Sequence, residues 1–154
     1  MKTCILFDID DVCSYTNEKE LMKKHSEDVA NNDYFWFSQY VDTFEPSKFS
    51  ILMINMFAAF HKIIFITARN EGTRAKTIKW IEKHYTFKKY HPYDLLCRGI
   101  NDFSDDVTLK KHLYEKYIKG KYKVLFAFED KYRICNLYKS LGITSLQVRL
   151  KERE

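Results

Sequence analysis

The stretch from Lys2 to Asp11, KTCILFDIDD, decides how the rest of the chain is read. Cys4, Ile5, Leu6 and Phe7 form an apolar run, and then Asp8, Asp10 and Asp11 arrive within four positions. A short apolar run bounded by so abrupt a change predicts a buried strand, here Thr3 to Ile9. Parallel strands covered on both faces read this way, because neither face tolerates charge. Ligands of open α/β sheets gather beyond the carboxyl ends of the strands, so these carboxylates stand where a ligand binds. Their mutual repulsion calls for a cation or a shared proton. A hard cation that takes oxygen ligands, such as magnesium, meets that need.

Outward from this strand, Asn17 to Val29 reads as a polar surface helix, broken by Asn31, Asn32 and Asp33. Tyr34 to Phe44 then gathers Tyr34, Phe35, Trp36, Phe37, Tyr40 and Phe44. Two readings stand: the rings pack over the core, or with Tyr15 and His25 they form a lid that stacks on a base. The whole insert spans about residues 13–45. Pro46 opens a helix in which Phe49, Leu52, Met53, Met56, Phe57 and Phe60 predict one broad buried face. Lys62 to Thr67 is a second buried strand, polar again at Thr67-Ala68-Arg69. An amphipathic helix follows over Thr73 to Tyr85, a short strand over Tyr93 to Arg98 and a helix over Asp105 to Lys119. Tyr122 to Phe128 is a further apolar strand, ending in Glu129-Asp130. Tyr132 to Leu141 is a helix stopped by Gly142, Thr144 to Val148 a last strand, and Lys151 to Glu154 a charged tail. Strands alternating with helices imply right-handed crossovers and a mostly parallel sheet. The fold class is α/β, Rossmann-like, with residues 1–154 as a single domain.

Bulk properties narrow the classes. A chain of 154 residues suits one domain, and 12 Phe with 11 Tyr supply a core, which excludes a disordered chain. The net charge of +5 suits an anionic partner such as nucleic acid or a phosphorylated substrate, and equally a Lys-rich solvated surface. Cys4, Cys13, Cys97 and Cys135 show no CxxC pair, which argues against structural zinc. No secretory segment precedes the first strand, so a cytoplasmic location is expected. The longest apolar stretch, residues 49–60, is too short to span a membrane. No Gly-rich phosphate loop with Lys-Ser/Thr is present, so no kinase module is expected in these residues.

Three strand ends thus bring polar groups to one edge: Asp8, Asp10 and Asp11; Thr67 and Arg69; Glu129 and Asp130. Lys110 comes from a helix between them. The chemistry that needs this set is phosphoryl transfer through an aspartyl-phosphate. Asp8 is the expected nucleophile. Asp8, Asp130 and the main-chain carbonyl of Asp10 would hold magnesium. Asp10 is the expected acid and base, and Thr67 and Lys110 the expected phosphate-binding groups.

The order DxD, hydrophobic-TxR, Lys, acidic pair resembles the haloacid-dehalogenase superfamily of phosphohydrolases. More closely, the chain is similar to the phosphatase domain of phage polynucleotide kinase-phosphatase. The similar pieces are FDIDDV (7–12), FEP (44–46), ITARNEGTRAKTIKWIEKH (66–84), YDLLCR (93–98), DDVTLKKHLY (105–114) and FEDKYRICNLYKSLGITSLQV (128–148). The match is weakest over residues 13–43.

The resemblance implies a magnesium-dependent phosphatase acting on polynucleotide 3′-phosphate ends, with Glu129 beside Asp130 at the metal. It also implies Arg69 and Arg98 near the substrate, and Asp106 as the residue that positions Lys110. A nucleotidase of the same superfamily is the alternative, and a non-catalytic nucleic-acid-binding protein is the alternative of another class. The chain departs from the family where Asp11 stands for a glycine and Glu129 for an aspartate. DDVTLKK also leaves Lys111 as a second candidate for the role given to Lys110.

Overall fold

The computed structural model describes residues 1–151, so most of the expected charged tail lies outside the described residues. Five parallel strands form one sheet in the order β3-β2-β1-β4-β5. They are β1 (Lys2–Phe7), β2 (Lys62–Asn70), β3 (Tyr93–Arg98), β4 (Tyr122–Glu129) and β5 (Ser145–Gln147). The helices are α1 (Glu18–Lys24), α2 (Ser26–Ala30), α3 (Lys48–Phe57), α4 (Arg74–His84), α5 (Asp106–Tyr117) and α6 (Tyr132–Ser140). The chain builds outward from β1 to β3, then returns to place β4 on the other side of β1. The strand order reverses between β1 and β4, and such a switch point is where an open α/β sheet forms its crevice.

Side chains alternate across each strand, so the apolar runs feed two cores. Ile5, Phe7, Ile63 and Phe65 face one layer with Ile54 of α3 and Trp80 and Ile81 of α4. Cys4, Leu6, Ile64 and Ile66 face the other with Leu109 and Leu113 of α5 and Ile134 and Tyr138 of α6. All four cysteines are buried free thiols. Gly142 ends α6 with φ 74°, a left-handed conformation that glycine adopts without a Cβ clash.

Three expectations change. The first strand stops at Phe7 rather than Ile9. Asp8 N–H still donates to Phe128 O at 3.0 Å, and then the carbonyl of Ile9 accepts from the N–H groups of Val12, Cys13 and Ser14. The chain therefore coils tightly beyond Asp8. The polar helix of the insert breaks at His25 into α1 and α2. The apolar face of α3 is rotated: Ser50 and Ile54 are buried and Phe49, Met53 and Phe57 pack beside them, while Leu52, Met56 and Phe60 are exposed. Hydroxyl chemistry explains the rotation. Ser47 donates to Val12 O, and Ser50 and Tyr85 donate to Cys13 O. These buried carbonyls follow the acidic turn directly, and leaving them unpaired is costly, so α3 seats its serines there.

Candidate active site

Asp8 lies where β1 ends and β4 still runs beside it. Phe7 pairs with Phe128, which brings Glu129 level with Asp8. α5 rises across the other layer. Its first turn is capped by Asp105, which accepts from the N–H groups of Val107 and Thr108. Lys110 follows one turn later. Leu109 and Leu113 anchor the helix in the core, and the Lys110 ammonium, 2% exposed, reaches the strand ends. It donates to Asp8 Oδ1 at 2.8 Å and to Glu129 Oε2 at 2.6 Å. Lys111 is exposed on the same helix, so Lys110 is the one of the two that meets Asp8 and Glu129.

Charge is crowded here. Burial, with Glu129 adding to it, pushes Asp8 up to about 8 against the opposing pull of Lys110. Burial and the neighbouring Asp8 and Glu129 push Asp130 up to about 10. Glu129 is also penalised by burial, but Lys110 and the Asp130 and Lys131 N–H donors outweigh this and hold it below the usual range. Asp8, Glu129 and Asp130 each direct an oxygen into a volume where these atoms lie within 4.8 Å of one another. Asp130 Oδ1 is buried and has no protein partner. A carboxylate oxygen that accepts nothing from protein, among others of its charge, fits an oxygen-seeking divalent cation.

Asp10, two residues on, points elsewhere. Arg69 grips it twice, Nε to Oδ2 at 3.1 Å and Nη2 to Oδ1 at 2.7 Å, and the Thr16 hydroxyl donates to Oδ1 at 2.7 Å. Burial works against the Asp10 charge, yet the guanidinium and these hydrogen bonds prevail and hold the carboxyl below the usual carboxylate range. Its side chain is not among the grouped carboxylates, which leaves only its main-chain carbonyl for a cation.

Several expected residues take positions other than those foreseen. Arg69, expected at the substrate, has a fully buried side chain and serves Asp10, Val41 O and Thr77. Arg98, also expected at the substrate, spends its donors on the carbonyls of Ala68, Asp102 and Ser104 and on Asp106 Oδ1. Asp106, expected to position Lys110, instead pairs with Arg98 and with Lys131 Nζ at 2.8 Å. The positioning of Lys110 falls to Asp8 and Glu129 themselves. Glu129, expected as a metal ligand, remains within reach of the cation position. Its oxygens, however, already accept from Lys110 and from two backbone N–H groups. Thr67 is buried in the second half of β2, its hydroxyl oxygen accepting from Arg69 N–H at 3.2 Å.

Asp11 now has a role. It sits at φ 61°, a region that glycine and then Asn or Asp enter most readily. Its carboxylate accepts from the N–H groups of Asn17 at 2.7 Å and Glu18 at 3.0 Å, which ties the start of α1 to the acidic turn. The insert's rings pack mainly on one another. His25 stacks on Trp36 at 4.0 Å with Tyr40 edge-on, and Phe35 is exposed. What the insert sends to the site is polar: Thr16 to Asp10, Val41 O to Arg69, and Glu18 to Lys131 at 3.3 Å. Sequence reasoning missed Thr16, Glu18 and Lys131. Lys131 alone carried a signal, its place directly after the acidic pair.

A parallel sheet with a buried aspartate ending its central strand, a lysine upon it and an acidic pair ending the adjacent strand defines a haloacid-dehalogenase-type phosphatase. The family model described as "Polynucleotide kinase PNKP phosphatase domain" matches residues 2–152, and the chain belongs to that family. A curated relative is the "Putative bifunctional polynucleotide kinase/RNA ligase" of Autographa californica nuclear polyhedrosis virus. It is 29% identical over 119 residues, covering 76% of this chain and 17% of the relative. Among solved structures, a chain of the "Pnkp1/Rnl/Hen1 complex" superposes with a TM-score of 0.75 at 23% identity, over 99% of this chain and 48% of that one. A chain from the "Pnkp1/Rnl/Hen1 RNA repair complex" gives the same TM-score and identity over 96% and 42%. At that identity the likeness speaks for the fold. The chain spans less than half the length of each of these relatives. Among the described residues no helix is long and apolar enough to cross a membrane.

Proposed function

We propose that this chain is a magnesium-dependent phosphomonoesterase that removes terminal 3′-phosphates from polynucleotides through an aspartyl-phosphate. The observation that carries it is Lys110 bridging Asp8 and Glu129 at the sheet's switch point, beside the unpartnered oxygen of Asp130. Asp8, Asp130 and the Asp10 carbonyl would hold magnesium, with Glu129 in reach. When bound there, the ion offsets the repulsion between these carboxylates and an anionic phosphate.

Asp8 Oδ attacks phosphorus in line with the scissile bond, and the P–O bond to the 3′ carbon's oxygen breaks. A proton must reach that leaving oxygen; Asp10, protonated as the substrate binds, gives it up and is left as the carboxylate. Water then attacks the aspartyl-phosphate, Asp10 takes its proton, and inorganic phosphate leaves with Asp8 restored. Arg69 favours the carboxylate that Asp10 becomes on giving up that proton, the form the second step needs. Lysine has three donors. Two of those on Lys110 go to Asp8 and Glu129, and the third suits a phosphate oxygen. The O–H of Thr67 suits another.

The polynucleotide substrate draws on family membership and on the relatives, whose names speak of polynucleotide kinase, RNA ligase and RNA repair. The test is hydrolysis of a 3′-phosphorylated oligonucleotide beside a 3′-mononucleotide. Faster turnover of the oligonucleotide supports the reading. Activity on mononucleotides alone makes the protein a nucleotidase, and phosphate release undiminished in Asp8→Asn removes the covalent mechanism.

A further inference from the structure

We propose that Phe103 and Tyr132 form a stacking platform for the unpaired bases next to the 3′ end of a polynucleotide strand. The inference rests on the phosphatase reading for the position of that end. Both rings stand out from the surface, Phe103 at 79% and Tyr132 at 67% exposure. Both are carried on backbone that is tied down. Phe103 lies in the loop leaving the carboxyl end of β3. Arg98 donates to the carbonyls of Asp102 and Ser104 on either side of it, and Asp102 accepts from the Ser104 N–H and hydroxyl. Tyr132 opens α6, two residues after Asp130.

One carboxylate clamps the two segments together. Asp106 Oδ1 accepts from Arg98 and Oδ2 from Lys131, the residue before Tyr132, each at 2.8 Å. The segments that carry the two rings are thereby joined at the edge of the sheet where β3 and β4 end. Arg133, whose side chain is 61% exposed and lies 3.7 Å from Asp106 Oδ2, adds a cation at the same clamp for the strand's own phosphates. Aromatic rings on a fixed backbone lose little freedom on binding. Stacking accepts any base, because every base has a π face, and an enzyme acting on strand ends of arbitrary sequence needs that tolerance. The insert's rings are less suited, since Trp36 is already stacked on His25.

The experiment compares wild type, Phe103→Ala, Tyr132→Ala and Tyr132→Phe on a 3′-phosphorylated single-stranded oligonucleotide and on p-nitrophenyl phosphate. Fluorescence anisotropy on the same oligonucleotide with a 3′-hydroxyl reads binding without turnover. Each alanine is expected to raise KM and the dissociation constant for the oligonucleotide roughly tenfold, within the range of one lost base stack. kcat and p-nitrophenyl phosphate hydrolysis should stay within about twofold, and Tyr132→Phe should behave as wild type. Oligonucleotide affinity unchanged in both alanine variants, or no oligonucleotide binding by wild type, overturns the platform. If wild type fails to release the 3′-phosphate but binds the oligonucleotide through these rings, the phosphatase reading falls and the platform stands.

Discussion

Asp8 and Asp10 are separated by one residue and both are shielded from water, yet their surroundings drive them in opposite directions. Asp8 shares its space with Glu129 and Asp130 and has a single lysine to offset them, so its proton is held up to about 8. Asp10 is gripped at both oxygens by Arg69 and once more by Thr16, so its proton is lost early. Environments that separate two carboxyl groups in this way are how one site divides its roles. Asp8 sits where a cation must complete the charge balance, as befits a nucleophile that meets an anion. Asp10 has a complete set of partners and is kept ready as a base. The contrast shows that a pair of acids in sequence becomes a nucleophile and a base only through what the rest of the fold brings to each.

The contrast can be broken at several points. Asp8→Asn is expected to reduce the rate of phosphate release about 10³-fold or more, in initial-rate assays, because an amide cannot replace the carboxylate as nucleophile. Lys110→Met is expected to cost about 10²–10³ in kcat, the scale of one lost transition-state donor. It also strands Asp8 and Glu129 as buried like charges, so chemical denaturation should show a loss of about 3–5 kcal/mol. Wild-type stability after this substitution would show that the bridge is not holding the charges.

On the Asp10 side, Arg69→Gln removes the groups that depress the carboxyl, so its pKa rises. If Asp10 must be ionised for water attack, activity falls below its pKa, and the acid limb of the kcat profile should move to higher pH. An unmoved limb would mean that Arg69 does not tune Asp10.

Asp8 and Asp130 predict the effect of pH on stability. Their folded pKa values, about 8 and about 10, lie far above the ordinary carboxyl value of 3.8. The folded state then binds more protons than the unfolded state, so stability falls as pH rises through the interval. Without divalent cation, Tm should decline between about pH 5 and pH 9. Magnesium, which competes with those protons, should raise Tm more at pH 8.5 than at pH 6, readable by differential scanning fluorimetry.

The smallest effect is expected at Asp11→Gly. Glycine suits φ 61°, but the two N–H groups at the start of α1 lose their acceptor, for a loss of about 1 kcal/mol. Activity should remain within a few-fold of wild type.

Much of the fold was legible in particular residues. The runs Cys4–Phe7, Ile63–Ile66 and Val124–Phe128 are apolar at every position, as strands buried on both faces must be. The polarity change after each named the site's edge and with it Asp8, Asp10, Thr67, Glu129 and Asp130. Lys110 emerged from its motif, although spacing alone could not separate it from Lys111. The exposed face of α3 was misread because hydrophobicity ranked Leu52 and Met56 above Ser50. Ser50 goes inward to satisfy the Cys13 carbonyl, a demand created 37 residues away. For Arg69, Arg98 and Asp106 the spacing did not show the partners they take, Asp10, Asp106 and Lys131.

The sequence by itself determined the parallel α/β sheet, its acidic edge and the set of residues that chemistry can draw on, since apolar runs and polarity changes are local properties of the chain. Tertiary structure alone decided who meets whom: Lys110 with Asp8 and Glu129, Arg69 with Asp10, Asp106 with Lys131, and Asp11 with the first turn of α1. Those pairings join residues up to 102 positions apart. They depend on distance and burial, which set the strength of an ion pair, and neither is written in the spacing of residues along a chain.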